Sequence, residues 1–359
     1  MGSKPAALLA VAAVLACTPA VTPDPVEEAI GRMDLRHKVG MMFHVRPQDL
    51  QDTLYPVGGV VLFARDITDS VQLKALTDSL HKLPWHPLLC IDEEGGRVAR
   101  IGSNPAFDVP RYKSMTEVGR GGVSGARKCG GEIGRYLKRF GVDVNFAPVA
   151  DVNTNPENPV IGLRAFSCEP VQAGQLASAY LEGLEESGVT GCLKHFPGHG
   201  DTTEDTHEGF AHSDKTWEEM LSCEILPFKA GIDAGASMVM VSHISTPRVT
   251  GNVIPASLSR QITTEKLREE LGFQGIIITD GMAMGAIANK YGSGEATLMA
   301  IDAGADIILL PENLPEAFDA VMDAVQKDST ITMERIDSSV RRILKRFENI
   351  NSYGSQIQE

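Results

Sequence analysis

Eight short apolar runs, each bounded by glycine, proline or polar turn residues and separated by longer stretches of helical period, leave this chain few folds to adopt. The runs are Val39 to Val45, Val57 to Phe63, Pro87 to Ile91, Val142 to Val149, Val189 to Leu193, Ser237 to Ser242, Gly275 to Thr279 and Asp306 to Leu310. Near-continuous apolar strands are buried on both faces, as in parallel sheets covered by helices. Between them the spacing predicts helices over Ser70 to Leu83, Arg127 to Phe140, Val171 to Ser187, Trp217 to Ala234, Ser259 to Leu271, Leu314 to Gln326 and Thr332 to Phe347. Eight strands alternating with helices predict a closed (β/α)8 barrel of TIM-barrel type rather than an open doubly wound sheet. The chain has 359 residues, and such barrels hold roughly 250 residues or more in one domain. No Gly/Ser- or Pro-rich linker interrupts the pattern, so one catalytic domain is expected over about residues 26–350, with a polar tail at 351–359.

Composition narrows the partners. A net charge of -14 and a pI near 5.1, with no Lys/Arg-rich stripe, exclude nucleic acid as an expected partner. Aromatic residues make up only 6% of the chain, which argues against a stacking platform for a long polysaccharide and for a pocket taking small sugars. Lys4 precedes an uncharged apolar run from Pro5 to Ala16, followed by Cys17, and residues 1–20 read as a secretory signal too short to span a bilayer. Because Cys17 follows Leu15 and Ala16, the segment resembles a bacterial lipoprotein signal, with Cys17 lipidated. The alternative is an ordinary signal cleaved near Ala20. Either way an exported protein of the cell envelope or periplasm is expected, and with Cys17 lipidated it touches the membrane only through that lipid anchor. Cys90, Cys129, Cys168, Cys192 and Cys223 show no C-x-x-C spacing and are expected to be buried thiols.

In a barrel of this type the reacting groups sit where the strands' C-terminal ends meet the following loops. Strand three runs into Asp92, strand five into Lys194 and His195, strand six into His243 and strand seven into Asp280. These five side chains are expected to converge on one mouth. From Pro197 to Asp214 the chain is almost wholly Gly, Thr, Asp, Glu and His, a long loop of the kind that serves as lid or site. Within it Gly198 and Gly200 read as backbone hinges, and His199 and Asp201 as loop-shaping residues. Gly95 and Gly96 suit a tight turn, beside which Glu93 and Glu94 either pair locally with Arg97 or touch substrate.

The motifs IDEEGGRVAR at 91–100, KHFPGHGDTTEDTH at 194–207 and ITDGMAMGAI at 278–287 carry a resemblance. Over about residues 26–350 the chain resembles glycoside hydrolase family 3, and within it the NagZ-like β-N-acetylglucosaminidases. The resemblance implies a retaining exo-β-N-acetylglucosaminidase with Asp280 as nucleophile and His207, assisted by Asp205, as acid/base. It implies that Asp92, Arg100, Arg164, Lys194 and His195 hold the terminal sugar. The implied substrates are small N-acetylglucosaminides from cell-wall fragments (muropeptides), with chitin oligosaccharides as the alternative. Neither a cofactor nor a metal is expected, and the protein is expected to be a monomer. Physically, a carboxylate can attack the anomeric carbon, and an imidazole with an ordinary pKa of about 6.5 can donate and then accept a proton near neutrality. Glu93, Thr206 and Gly281 depart from the commoner Gln, Ser and Asp of the pattern without removing a catalytic role. Two rivals remain: a metal-dependent barrel hydrolase using His195, His199, His207, His212 and His243, and a lipoprotein that binds cell-wall sugars without cleaving them. The first lacks an H-x-H pair on strand one, which contributes only His44. The second would be expected to have lost the nucleophile or the dyad.

Overall fold

The structure, a computed structural model, describes Gly2 and residues 24–50, 55–202, 211–327 and 331–347. The leader with Cys17, the polar tail, and the two residues Asp205 and His207 lie outside the described residues. Eight strands form: β1 (Phe43–Val45), β2 (Gly59–Leu62), β3 (Leu88–Ile91), β4 (Val144–Asn145), β5 (Thr190–Phe196), β6 (Met238–Val241), β7 (Ile276–Thr279) and β8 (Ile308–Leu309). They pair in the order β7-β6-β5-β4-β3-β2-β1-β8, every pairing parallel. A parallel bridge between Ile278 and Ile307 joins the two ends of this order and brings the sheet round into a nearly closed barrel. Every strand residue is buried, inside the barrel or under the helices around it, which is why the strands read as unbroken apolar runs.

All eight strands fall within their predicted runs except β5, which extends to Phe196. The first run also covers more than a strand. Val39, Gly40 and Met41 close the helix Leu35–Met41, whose N-cap Asp34 accepts from the His37 N–H at 2.9 Å. That last helical turn is as buried as the strand behind it, so apolarity alone does not mark the boundary. The stretch from Trp217 to Ala234 folds as two helices, Trp217–Leu221 and Ile225–Asp233, instead of one. Pro227 explains the break, because it lacks the N–H that a continuous helix would need there yet fits a first turn. The predicted helix near Ser259 is wound as a π-helix over Gln261–Glu270, and the helices Pro25–Arg32 and Ser293–Ala303 were not expected. Of the cysteines, Cys90, Cys129 and Cys192 are buried thiols as expected, whereas Cys168 is exposed and Cys223 half-buried.

The helices Gly122–Arg139 and Pro170–Glu186 lie unusually close together. A Cβ on Gly130 would stand 2.1 Å from the Tyr180 carbonyl oxygen, and one on Gly183 would stand 2.1 Å from that of Arg127. Two backbones can approach this far only where neither carries a side chain. Among the described residues no helix is long and apolar enough to cross a membrane.

The seam between β7 and β8 is tied from the N-terminal side of the strands. The wholly buried Asp306 accepts from the Ile277 N–H (3.0 Å), Arg268 Nη2 (2.8 Å), Ser339 Oγ (2.8 Å) and Arg342 Nη1 (2.9 Å). It thereby fixes the Gln261–Glu270 and Met333–Arg346 helices to the closing edge. Burial pushes the Arg268 guanidinium down to about 10 against the attraction of Asp306. Removing one partner of a buried charge network strands the others, so Asp306→Ala should cost roughly 3–5 kcal/mol. A fall in the urea midpoint with little change in slope is the expected result, and a variant as stable as the parent would refute the assignment.

Candidate active site

A cleft of about 780 Å³ opens at the C-terminal ends of the strands, and Asp92, Arg100, Arg164, Lys194, His195 and Asp280 all line it. The six arrive from different elements. Asp92 follows β3, Lys194 and His195 lie on β5, Asp280 follows β7, Arg100 sits on the loop after β3, and Arg164 on a 3-10 turn, Gly162–Arg164, after β4.

Four of them are bound into one ionic network through Glu94. Arg164 grips the Glu94 carboxylate with two parallel bonds, Nε to Oε2 at 2.9 Å and Nη2 to Oε1 at 2.7 Å. Lys194 Nζ lies 2.6 Å from Glu94 Oε1 and 2.7 Å from Asp92 Oδ1, and Arg100 Nη2 stands 3.4 Å from Asp92 Oδ2. Glu94 and Lys194 are only 1% and 2% exposed. Burial alone would favour the neutral acid at Glu94, but the charges of Arg164 and Lys194 overcome it and hold the carboxyl well below its usual range. On Lys194 burial works toward a lower value, and Asp92 and Glu94 reverse it, so the ammonium is held above its ordinary value.

His195 is oriented from both ring nitrogens. Nδ1 lies 2.7 Å from Oδ2 of the wholly buried Asp151, and Nε2 lies 3.3 Å from Arg164 Nη2. A guanidinium can only donate, so Nε2 accepts and Nδ1 carries the proton given to Asp151. Asp151 also accepts from the His195 and His199 N–H groups, the latter at 2.6 Å, fixing the turn that follows β5. Desolvation raises the Asp151 pKa, yet the neighbouring His195 and those hydrogen bonds bring it below the usual carboxylate value. Asp280 is held by its own loop, the Gly281 N–H donating to Oδ1 at 2.7 Å and the Asp280 N–H to the Val241 carbonyl at 2.8 Å.

Several sequence expectations change here. Glu93 and Glu94 do not pair with Arg97, whose guanidinium instead donates to the Val160 carbonyl at 2.7 Å. Glu93 is buried behind the cleft, where its carboxylate accepts from the Ile101 and Gly102 N–H groups and from Tyr136 Oη at 2.7 Å. Gly95 and Gly96, with φ of 95° and 64°, make the expected tight turn. His243 does not reach the mouth: it is fully buried, with Nε2 2.9 Å from the Gly281 carbonyl and Nδ1 2.7 Å from Ser257 Oγ. It therefore supports the loop beside Asp280 from behind. A Cβ on Gly200 would stand 1.9 Å from the Val152 carbonyl oxygen and one on Gly198 would meet Glu224, so close packing alone already requires glycine at both positions. Asp201 shapes its loop as expected, accepting from Thr154 Oγ1 at 3.3 Å and pairing with Lys215. Asp151 was not singled out from the sequence, although it lies just past the predicted end of strand four, where the strand-end rule looks. Of the histidines in the metal reading, His195 and His199 line the cleft; His44, the lone histidine of β1, is buried inside the barrel, where desolvation lowers its pKa to about 3. Among the described residues no group of three or more His, Cys, Asp or Glu side chains is placed to hold a metal ion.

Residues 26–346 match the family described as the glycosyl hydrolase family 3 N terminal domain. A β-hexosaminidase A from Pseudoalteromonas piscicida is 35% identical over 329 residues, 83% of this chain and 55% of that protein, so the chain spans about half the length of that relative. A β-hexosaminidase from Thiobacillus denitrificans is 35% identical over 277 residues, covering 76% of each chain. Among solved structures, a glycoside hydrolase family 3 β-N-acetylglucosaminidase from Paenibacillus sp. superposes with a TM-score of 0.82 at 34% identity, covering 89% of this chain and 63% of that one.

The Glu94 network generates a stability prediction. Because the folded-state pKa of Glu94 lies below the ordinary glutamate value, its contribution is fully present above that ordinary value and is lost as pH falls through the depressed one. Glu94→Gln should therefore be less stable than the parent at pH 7, and the gap between their urea midpoints should narrow as pH drops below about 4. A gap independent of pH would show that the carboxylate is not the ionised anchor described.

Proposed function

The chain belongs to glycosyl hydrolase family 3, and on that premise we propose that it is a β-N-acetylhexosaminidase, a retaining exo-enzyme that removes terminal β-linked N-acetylglucosamine. The observation that carries this reading is the cleft in which a polar cluster from the β3 to β5 sector faces Asp280. Such a cluster offers a sugar both acceptors and donors: Asp92 takes hydroxyl protons, while Lys194, Arg100 and Arg164 give theirs. In the first step an Asp280 oxygen bonds to the anomeric carbon as the glycosidic C–O bond breaks, and the departing oxygen takes a proton from His207. In the second, water attacks the same carbon, gives its proton back to His207 and releases the Asp280 carboxylate, so the product keeps the β configuration. The roles of His207 and Asp205 rest on the motif KHFPGHGDTTEDTH, as both lie outside the described residues. Cell-wall fragments, in which N-acetylglucosamine is joined to a muramic acid unit, are the proposed substrates, with neutral chitin oligosaccharides as the competing class.

Activity assays separate the two catalytic steps. Asp280→Asn should abolish release of nitrophenol from an aryl β-N-acetylglucosaminide, and the parent should trap a fluorinated glycosyl donor on Asp280. His207→Ala should lose far more on glycosides with poor leaving groups than on activated aryl glycosides, since only the former need the proton. An adduct on another residue, an α-configured product, or equal losses on both leaving groups would sink the mechanism.

The proposed location is the cell envelope, with Cys17, outside the described residues, lipidated after export. A fatty-acid analogue should label the parent and not Cys17→Ser in a bacterial host. Unlabelled protein in both cases would remove the anchor.

A further inference from the structure

The cleft is far more cationic than the chain that carries it. The whole sequence has a net charge of -14, yet among the described residues the cleft is lined by six arginine and lysine side chains against three carboxylates. Most of those cations are already committed. Lys194 and Arg164 neutralise Glu94, Arg100 faces Asp92, and Arg97 is spent on backbone carbonyls. Arg46 and Arg65 are not: among the described residues neither forms an ion pair or a side-chain hydrogen bond with its guanidinium.

Their neighbours explain why. The nearest acids in sequence are used to shape the two turns, Asp49 Oδ2 accepting from the Arg46 N–H at 3.1 Å and Asp66 Oδ2 from the Phe63 N–H at 2.9 Å. Arg65 is instead held by its flat face, its guanidinium carbon 5.5 Å from the centroid of the Phe63 ring, while Arg100 lies 5.7 Å from that same ring. Two guanidinium groups are thus presented to the cleft with their N–H donors available.

Their place in the barrel says what they face. The sugar-binding cluster comes from β3 to β5, whereas Arg46 follows β1 and Arg65 follows β2. In a ring of eight strands β1 stands opposite β5, so Arg46 looks across the cleft at Lys194 and His195. Asp280, after β7, lies beside the gap between these two sectors. On the proposed reading, a sugar held by the β3 to β5 cluster with its anomeric carbon at Asp280 would direct its leaving group toward the β8, β1 and β2 side.

We propose that Arg46 and Arg65 form a carboxylate-reading subsite for the leaving group, and that the enzyme selects substrates whose departing unit is acidic over neutral oligosaccharides of N-acetylglucosamine. This inference rests on the proposed glycosidase activity and decides between its two substrate classes. A planar guanidinium matches a carboxylate with two parallel hydrogen bonds, and two of them at one cleft discriminate by charge as well as by shape.

The experiment uses the full-length protein and two matched aryl β-N-acetylglucosaminides, one with a carboxylate and one with a carboxamide on the aryl ring. The readout is the ratio of their kcat/KM values in the parent, in Arg46→Gln, in Arg65→Gln and in the double variant. The parent should favour the carboxylate, the double variant should lower the ratio about tenfold or more, and Arg→Lys changes should restore part of it. The preference should also shrink as salt is raised. Turnover of both glycosides by the parent with a ratio near one, or equal losses on both in the variants, would overturn the subsite while leaving the glycosidase reading intact. No turnover of either would overturn both.

Discussion

A carboxylate with 1% of its surface exposed can remain ionised only if opposite charge is brought to it, and at Glu94 that charge arrives from two distant parts of the chain. Arg164 comes from the loop after β4 and Lys194 from β5, and neither could occupy its position without the other two partners. Everything on that side of the cleft follows. Lys194, held between Glu94 and Asp92, sets where Asp92 can point; Arg164, locked to Glu94 by two bonds, turns Nη2, which also binds Glu94, toward His195 and so helps choose the proton-bearing nitrogen of that ring. This wall of the cleft is therefore one object with a single arrangement, and the sugar of the proposed reaction would meet groups that need little reorganisation.

The barrel was legible because its signal is local and repeated. Each strand is short, buried on both faces and closed off by turn residues, so apolar runs locate all eight. Boundaries failed where burial ceased to distinguish one element from the next, as at Val39 to Met41, which belongs to a helix that is as covered as the strand behind it. The Ser293–Ala303 helix escaped notice for a related reason: Gly294, Ala296, Thr297, Ala300, Ile301 and Ala303 are all buried, leaving little polar contrast to reveal a period.

The site was legible only in part, and the difference is one of range. Asp92, Lys194, His195 and Asp280 stand at strand ends, where the fold itself directs attention. For Glu94 one of the two readings, a local pair with Arg97, fails because its true partners lie 70 and 100 positions further along the chain. His243 obeyed the strand-end rule and still turned inward, captured by Ser257 and the Gly281 carbonyl. Which way a side chain points at a strand end depends on the hydrogen-bond partners that neighbouring loops offer, and those partners become visible only once the loops are folded.

Two charged features of the molecule lie at opposite poles of the barrel. Asp306 and its arginines knit the closing seam at the N-terminal side, whereas Arg46 and Arg65 rest on turns at the C-terminal side and hold no other element in place. Heritable change can act on these poles independently. A lineage descended from such a protein could exchange the two mouth arginines for neutral or acidic residues, and so move to a different diet of glycosides, without ever passing through an ancestor that failed to fold.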